Sequence, residues 1–249
     1  MTWRWKGIVA GLGIVAAVGA IYAAGTRAMG ADWRTASRES AGIAPDPKTT
    51  NEAVVQVYGA RAWSWRGTFG VHTWISVKPT GAENYTVYQV IGWRARYGGS
   101  AIVVDGRLPD ERWFGAMPEL LADLRGPGVD AVIEKIDAAA KRYPYPEEYR
   151  VWPGPNSNTF TAFVAREVPE LRLDLPPTAI GKDYLPGGMP FGPTPSNTGY
   201  QFSLFGLLGV LAGMEEGIEV NFLGLVFGID VKDPALKLPI VGRIGFGQT

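Results

Sequence analysis

The chain has 249 residues, which is enough for one large domain or two small ones with a proper core. Its 24 basic residues balance 24 acidic residues, so no net charge favours nucleic acid as a partner. The absence of cysteine and the presence of a single histidine exclude disulfides and thiolate catalysis and disfavour a transition-metal site, so we expect neither a metal nor a cofactor.

The first 25 residues are predicted to be a membrane anchor. The run Gly7–Gly25 carries no charge over 19 residues, about the length of one bilayer crossing, and Trp3 and Trp5 precede it where interfacial aromatic residues belong. A cleaved signal peptide is the alternative, although a clean small-residue cleavage site is missing. Because Arg4 and Lys6 adjoin the run, we expect a single-pass protein of a bacterial inner membrane with the bulk of the chain in the periplasm.

Residues 26–51 are small, polar and interrupted by prolines, which predicts a linker. After it, four segments alternate as strands do: AVVQVYGARAW, GVHTWISVKP, YTVYQVIGW and SAIVVDG. The second and third segments should pair as a hairpin that carries His72 on one arm and Gln89 on the other.

Three helices are predicted next, in ERWFGAMPELLADLRG, GVDAVIEKIDAAAKRY and TFTAFVARE. The last follows PGPNSN, in which Asn156, Ser157 and Asn158 are all good N-cap residues. Pro176–Gly199 should be an irregular loop.

The C-terminal part predicts a buried β-hairpin. Its arms are the apolar segments Ser203–Gly213 and Ile218–Asp230, joined by a tight acidic turn at residues 214–217. A second membrane span is the rival interpretation. It is disfavoured because Glu215, Glu216 and Glu219 interrupt every window long enough to cross a bilayer.

A histidine-bearing hairpin followed by helices and an NSNTF helix start resembles the circularly permuted papain-like fold, the superfamily of the NlpC-type peptidoglycan amidases and the lecithin:retinol acyltransferase group. The resemblance implies an α+β domain over residues 52–249, an antiparallel sheet plus helices, extended by the C-terminal hairpin. It also implies that Ser157 replaces the nucleophilic cysteine, that His72 is the catalytic histidine, and that Gln89, or less favourably Tyr88, orients it.

Physical chemistry shows how this arrangement would work and what serine changes. A helix N-terminus stabilises an oxyanion, and Asn156 would add a side-chain donor as a fourth catalytic residue. A serine hydroxyl ionises far less readily than a thiol, so Ser157 needs His72 as a true general base. The replacement leaves either a serine acyl-transfer enzyme or a scaffold that keeps the motif for capping, and enzymatic activity stays open.

A second resemblance rests on the segments RYPYPEEYRVWPGPNSNTF and GIEVNFLGLVFGID. They are similar to an uncharacterised bacterial family with an N-terminal membrane anchor and a domain of unknown function. This resemblance implies no activity.

These patterns favour a membrane-anchored cell-envelope protein. If it is catalytic, it would be a hydrolase or acyltransferase that acts on amide or ester bonds of lipid or peptidoglycan. The alternatives are a non-enzymatic accessory or scaffold subunit of an integral membrane protein complex, and a module that binds lipid in the His72 cleft without turnover. Two groups of residues near the hairpin could contact a ligand, the arginines through anionic headgroups and the tryptophans as a platform. Solvated strand edges are the favoured interpretation of the arginines, and core packing is that of the tryptophans. They are Arg61, Arg66, Arg94 and Arg96, and Trp63, Trp65, Trp74 and Trp93.

Overall fold

The computed structural model describes residues 32–245, which form two antiparallel sheets of five and seven strands and four short α-helices. The expected α+β architecture with a permuted papain-like domain is therefore wrong, because most of the regular structure is antiparallel sheet. Within residues 32–245 no helix is long and apolar enough to cross a membrane. The predicted anchor at residues 1–25 lies outside the described residues.

The first sheet has the strand order β4-β3-β2-β1-β5. Its strands are β1 Val54–Arg61, β2 Val71–Lys78, β3 Thr86–Val90, β4 Ile102–Gly106 and β5 Glu119–Arg125. The helices are α1 Arg66–Phe69, α2 Gly92–Arg96, α3 Val129–Lys141 and α4 Ser157–Glu167. The predicted hairpin of β2 and β3 is present, with Ile75 opposite Tyr88.

The two faces of this sheet are covered differently. Successive side chains of a strand point to opposite faces. Val57 and Ile75 point to the face on which α3 and α4 pack, where they share the main core with Ile136. On the other face Trp74 belongs to a smaller cluster that Trp113 partly covers. This alternation decides which residues can reach the candidate site.

The predicted helix at residues 111–126 is wrong. Glu119–Arg125 is strand β5, which pairs along β1 with Val54 opposite Arg125. Leu120 and Leu124 lie four residues apart, a spacing that imitates a helical stripe. The free edge of β1 offers a row of unpaired backbone groups, and pairing with it overrides the local preference.

The predicted C-terminal hairpin is only partly right. Residues 208–213 and 217–222 pair as antiparallel strands around the predicted turn, but residues 191–245 form seven strands that meander in chain order. These strands are β6 Phe191–Pro193, β7 Gly199–Leu204, β8 Leu208–Gly213, β9 Gly217–Phe222, β10 Leu225–Asp230, β11 Ala235–Leu238 and β12 Gly242–Gly245. Each predicted arm is folded back on itself by a tight turn, one at Phe205-Gly206 and one at Leu223-Gly224. All four turn residues have positive φ, the conformation that tight hairpins require.

The seven-stranded sheet is mostly polar on its inner face and apolar on its outer face. In β9, Glu219 and Asn221 are buried, whereas Val220 and Phe222 are exposed. The strand register places the outward residues on one surface, which we call the apolar face, and no outward position of β7 to β11 carries a charge. The apolar face consists of Phe191, Tyr200, Phe202, Leu204, Leu208, Val210, Ile218, Val220, Phe222, Leu225, Phe227, Ile229, Leu236 and Ile244.

Buried ion pairs attach the inner face to the rest of the domain. The Glu219 carboxylate lies 2.6 Å from Lys182 Nζ and 2.9 Å from Lys237 Nζ, and Lys237 Nζ lies 2.7 Å from Asp174. We call these four residues the ionic layer. Burial alone would raise the pKa of Glu219, but the two lysines outweigh it and hold that pKa below its usual value, so the carboxylate is charged.

We expect Glu219→Gln to lower the free energy of unfolding by about 3 kcal/mol, because two buried ammonium groups then lose their shared counter-charge. Glu215→Gln is the matched control. Glu215 also contacts two cations, Arg172 and Lys232, but at the surface, so its loss should cost about 1 kcal/mol or less. Urea titrations of both variants in detergent, followed by tryptophan fluorescence, measure the difference. Equal losses would contradict a structural role for the ionic layer.

Candidate functional site

An open cleft of about 1690 Å³ lies where β2 begins and β3 ends. Its floor includes His72, Asn156, Ser157 and Asn158, so three of the four predicted site residues line one cleft. Its walls are largely aromatic and include Trp33, Trp63, Trp65, Trp93, Trp113 and Trp152. The turn between β9 and β10 closes one side, so the cleft adjoins the seven-stranded sheet.

His72 is buried in a stack of rings. Its ring lies 3.7 Å from that of Trp113, centroid to centroid, at an interplanar angle of 17°, and Trp93 continues the stack toward solvent. The Nε2 atom lies 3.0 Å from Gln89 Oε1. Because a carbonyl oxygen can only accept, Nε2 carries the proton and Nδ1 is the basic nitrogen. The predicted pairing of His72 with Gln89 is present.

The surroundings of His72 favour its neutral form. Burial lowers the pKa of His72 to about 4, an effect that the hydrogen bond to Gln89 opposes and that the nearby Arg107 reinforces. Gln89 is neutral and offers an imidazolium ion no counter-charge. His72 is therefore a weak base at neutral pH and serves here as a flat, uncharged surface.

Asn156 begins α4 as its N-cap. Its Oδ1 accepts hydrogen bonds from the backbone N–H groups of Asn158 and Thr159, and Thr159 Oγ1 completes a capping box. Its Nδ2 donates to the carbonyl oxygens of Val151 and Ile180. Both N–H groups of the Asn156 amide, which was predicted to be an oxyanion donor, are thus used in hydrogen bonds to the backbone.

Ser157 and His72 are not brought into contact. Strand alternation turns His72 toward Trp113, whereas its neighbour Thr73 faces α4 and donates to Asn158 Oδ1 at 3.0 Å. Within residues 32–245 no hydrogen bond joins His72 to Ser157, and Ser157 Oγ makes none at all. Both residues line the cleft, but they are not hydrogen-bonded to each other.

The rim of the cleft carries two arginines that were predicted to be solvated strand-edge residues. Arg66 and Arg96 are exposed on α1 and α2, and neither forms an ion pair in the described part of the chain. Trp65 and Trp93, expected in the core, are about half exposed at this rim. Trp113, which stacks on His72, was not predicted as a site residue, because the segment that carries it was predicted to be helical. Within residues 32–245 no three His, Asp or Glu side chains form a metal-binding cluster.

A family model described as "Protein of unknown function (DUF3750)" matches residues 52–184. The chain belongs to this family. The match confirms the resemblance to an uncharacterised family and includes the segment RYPYPEEYRVWPGPNSNTF. It contains the first sheet and the whole α3–α4 region but ends before the seven-stranded sheet. No curated protein matches the chain, and no solved structure does.

We expect the sole histidine of the chain to titrate with a midpoint near 4 instead of near 6.5. Because its folded pKa lies below the unfolded value, the stabilisation from neutral His72 is present above pH 6.5 and is lost as the pH falls toward 4. Selective ¹⁵N-histidine labelling and NMR follow one imidazole without overlap. Gln89→Glu should raise the midpoint by at least about one unit, because a carboxylate stabilises imidazolium. A wild-type midpoint near 6.5 would contradict this description.

Proposed function

We propose that this protein is tethered to a membrane by its N-terminal apolar segment and binds an amphiphilic, lipid-like molecule in the cleft. The tether would be a single span of a bacterial inner membrane, with the domain on the periplasmic side. The observation that supports the proposal is one cleft with tryptophan walls and three lining arginines, Arg38, Arg66 and Arg96, that form no ion pair within residues 32–245. Aromatic walls suit an acyl chain, and arginine suits a carboxylate or phosphate headgroup.

The floor of the cleft favours binding over catalysis. His72 stacks on Trp113 and hydrogen-bonds to neutral Gln89, which leaves it poorly suited to accept a proton. Asn156 is engaged in capping and in two bonds to backbone carbonyls. Both residues thus shape and stiffen the cavity, as a binding site requires.

Binding is tested with a photoreactive palmitate and its neutral counterpart, a photoreactive hexadecanol, on the full chain in nanodiscs. Replacing Arg66 and Arg96 with glutamine should raise the palmitate concentration for half-maximal crosslinking about fivefold. This change corresponds to a loss of up to about 1 kcal/mol of binding free energy for the two arginines together. Hexadecanol crosslinking should stay unchanged. Trp93→Ala should weaken both probes, because it removes apolar contact area.

Arg150→Gln is the control, since Arg150 is an exposed arginine that does not line the cleft. An equal effect of Arg150→Gln, or crosslinked peptides that lie outside the cleft, would contradict the proposed function.

Serine-based acyl transfer is a second candidate, favoured by the unbonded Ser157 hydroxyl at the start of α4 on the cleft floor. Ser157 Oγ would attack an ester or amide carbonyl, release the alcohol or amine, and be freed from its acyl group by water. It ranks second because no described side chain stands ready to take the hydroxyl proton.

For this candidate we expect a fluorophosphonate probe to label the wild type and the Ser100→Ala control but not Ser157→Ala. Ser157→Ala should leave stability nearly unchanged, because Asn156 provides the cap. Asn156→Ala should cost about 1 kcal/mol of stability. Absence of labelling in the wild type removes the enzymatic candidate and leaves the binding proposal intact.

A further inference from the structure

The apolar face of the seven-stranded sheet is far larger than the apolar patches of soluble monomers. Its side chains leave about half of their surface in contact with solvent, for example Val210 and Val220 at 49% each. Together they amount to an apolar area on the order of 1,000 Å², whereas the largest patch on a typical monomer is about 300–600 Å². A surface of this size calls for an apolar partner.

The polarity of the sheet is graded along its strands. One end carries the turns at Phe205-Gly206, Leu223-Gly224 and Val241, in which the large side chains are apolar and exposed. The opposite end carries the turns with Glu215 and Lys232, which are ion-paired to each other. A face between an apolar end and a charged end suits a boundary between hydrocarbon and water better than it suits a uniform protein core.

The first described residues and the apolar end of the sheet border the same cleft. Trp33 lines the cleft together with Leu223 and Leu225, which belong to the turn between β9 and β10 and to the start of β10. Seven chain steps separate Gly25, where the uncharged run ends, from Asp32, so they span at most about 25 Å. If the run spans a bilayer, the apolar end of the sheet is held close to that bilayer.

We propose that the apolar face is a lipid-docking surface that lies on the bilayer into which the N-terminal run inserts, with the apolar end of the sheet deeper and the charged end nearer to water. The outward side chains enter the boundary between headgroups and acyl chains, to the depth of about 5–10 Å that is typical of interfacial elements. The paired backbone stays at the level of the headgroups, so the sheet edges do not enter hydrocarbon. The inference uses the proposed tether but not the proposed ligand of the cleft.

The ionic layer explains why the sheet presents this side. Glu219, Lys182 and Lys237 attach the inner face to the domain by charge, so the apolar side chains are left for the outer face. The face itself carries no charge, so its attachment to lipid should depend on apolar burial alone. Binding to zwitterionic lipid should therefore persist at high salt.

The absence of cysteine permits a direct test on the full chain. Val220→Cys and Val104→Cys are matched variants, since the two valines are 49% and 48% exposed and only Val220 belongs to the apolar face. Each is labelled with the fluorophore NBD and reconstituted into phosphatidylcholine vesicles that contain doxyl-labelled lipid. We expect quenching at position 220 to exceed that at position 104 at least threefold and to be the same in 0.05 M and 0.5 M salt.

Equal, weak quenching at both positions would overturn the proposal. So would a fluorophore at position 220 that is shielded from aqueous iodide and from doxyl lipid alike, since a second copy or residues 7–25 of the same chain would then cover the face. Val210→Cys replaces Val220→Cys if the latter misfolds. Palmitate crosslinking in the same samples reports ligand binding in the cleft separately, because Val104, Val210 and Val220 do not line the cleft.

Discussion

The shared contact of Glu219 with Lys182 and Lys237 determines how the two halves of the molecule meet. One carboxylate serves two buried ammonium groups, and each of these groups also donates to a backbone carbonyl, at Leu175 and Glu216. Charges so deeply buried are tolerated only when they are paired and hydrogen-bonded. The inner face of the seven-stranded sheet is therefore largely polar, with only Leu211, Val226 and Ala235 as buried apolar side chains, and most of the large apolar side chains of these strands lie on the outer face.

The first sheet, by contrast, packs apolar side chains against both of its faces. Its helical side holds an apolar core, and its other side holds rings that pack around Trp74 and Trp113. The cleft lies at the end of this sheet, where the rings run out toward solvent at Trp93. A histidine among such rings loses its charge, and its ring becomes part of the aromatic surface, which links the packing of this face to the chemistry that the cleft can support.

Local patterns in the sequence predicted the first sheet well and the second poorly. Strands β1 to β4 and helices α3 and α4 follow clear periodicities, and the pairing of His72 with Gln89 followed from the hairpin that these strands predict. The turns at Phe205-Gly206 and Leu223-Gly224 were missed because each begins with a bulky apolar residue, which seldom adopts positive φ. Strand β5 was missed because its partner, β1, lies more than fifty residues away in sequence.

The site was predicted only in part, because some of its contacts join residues that are distant in sequence. Motif order placed Ser157 and His72 in one cleft but could not show that alternation along β2 turns His72 away from α4. The capping role of Asn156 was predicted from its position, but the bond of its Nδ2 to the Ile180 carbonyl, which occupies the predicted oxyanion donor, joins residues whose proximity no local pattern reveals. The inward polar set of β9 and β11 was visible as alternation, yet alternation does not state which side of a sheet faces the interior.

The hydrogen bonds at Ile180 have a geometric consequence. Asn156 and Asn158, at the floor of the cleft, both donate to the Ile180 carbonyl, and Lys182 of the ionic layer follows only two residues later. Floor and sheet are thus joined through a short link that is bonded at both ends, and Trp152 Nε1 adds a direct hydrogen bond from the cleft wall to the Leu223 carbonyl of the sheet. The cleft cannot tilt independently of the sheet, so its mouth keeps a constant height and angle above any plane on which the sheet rests.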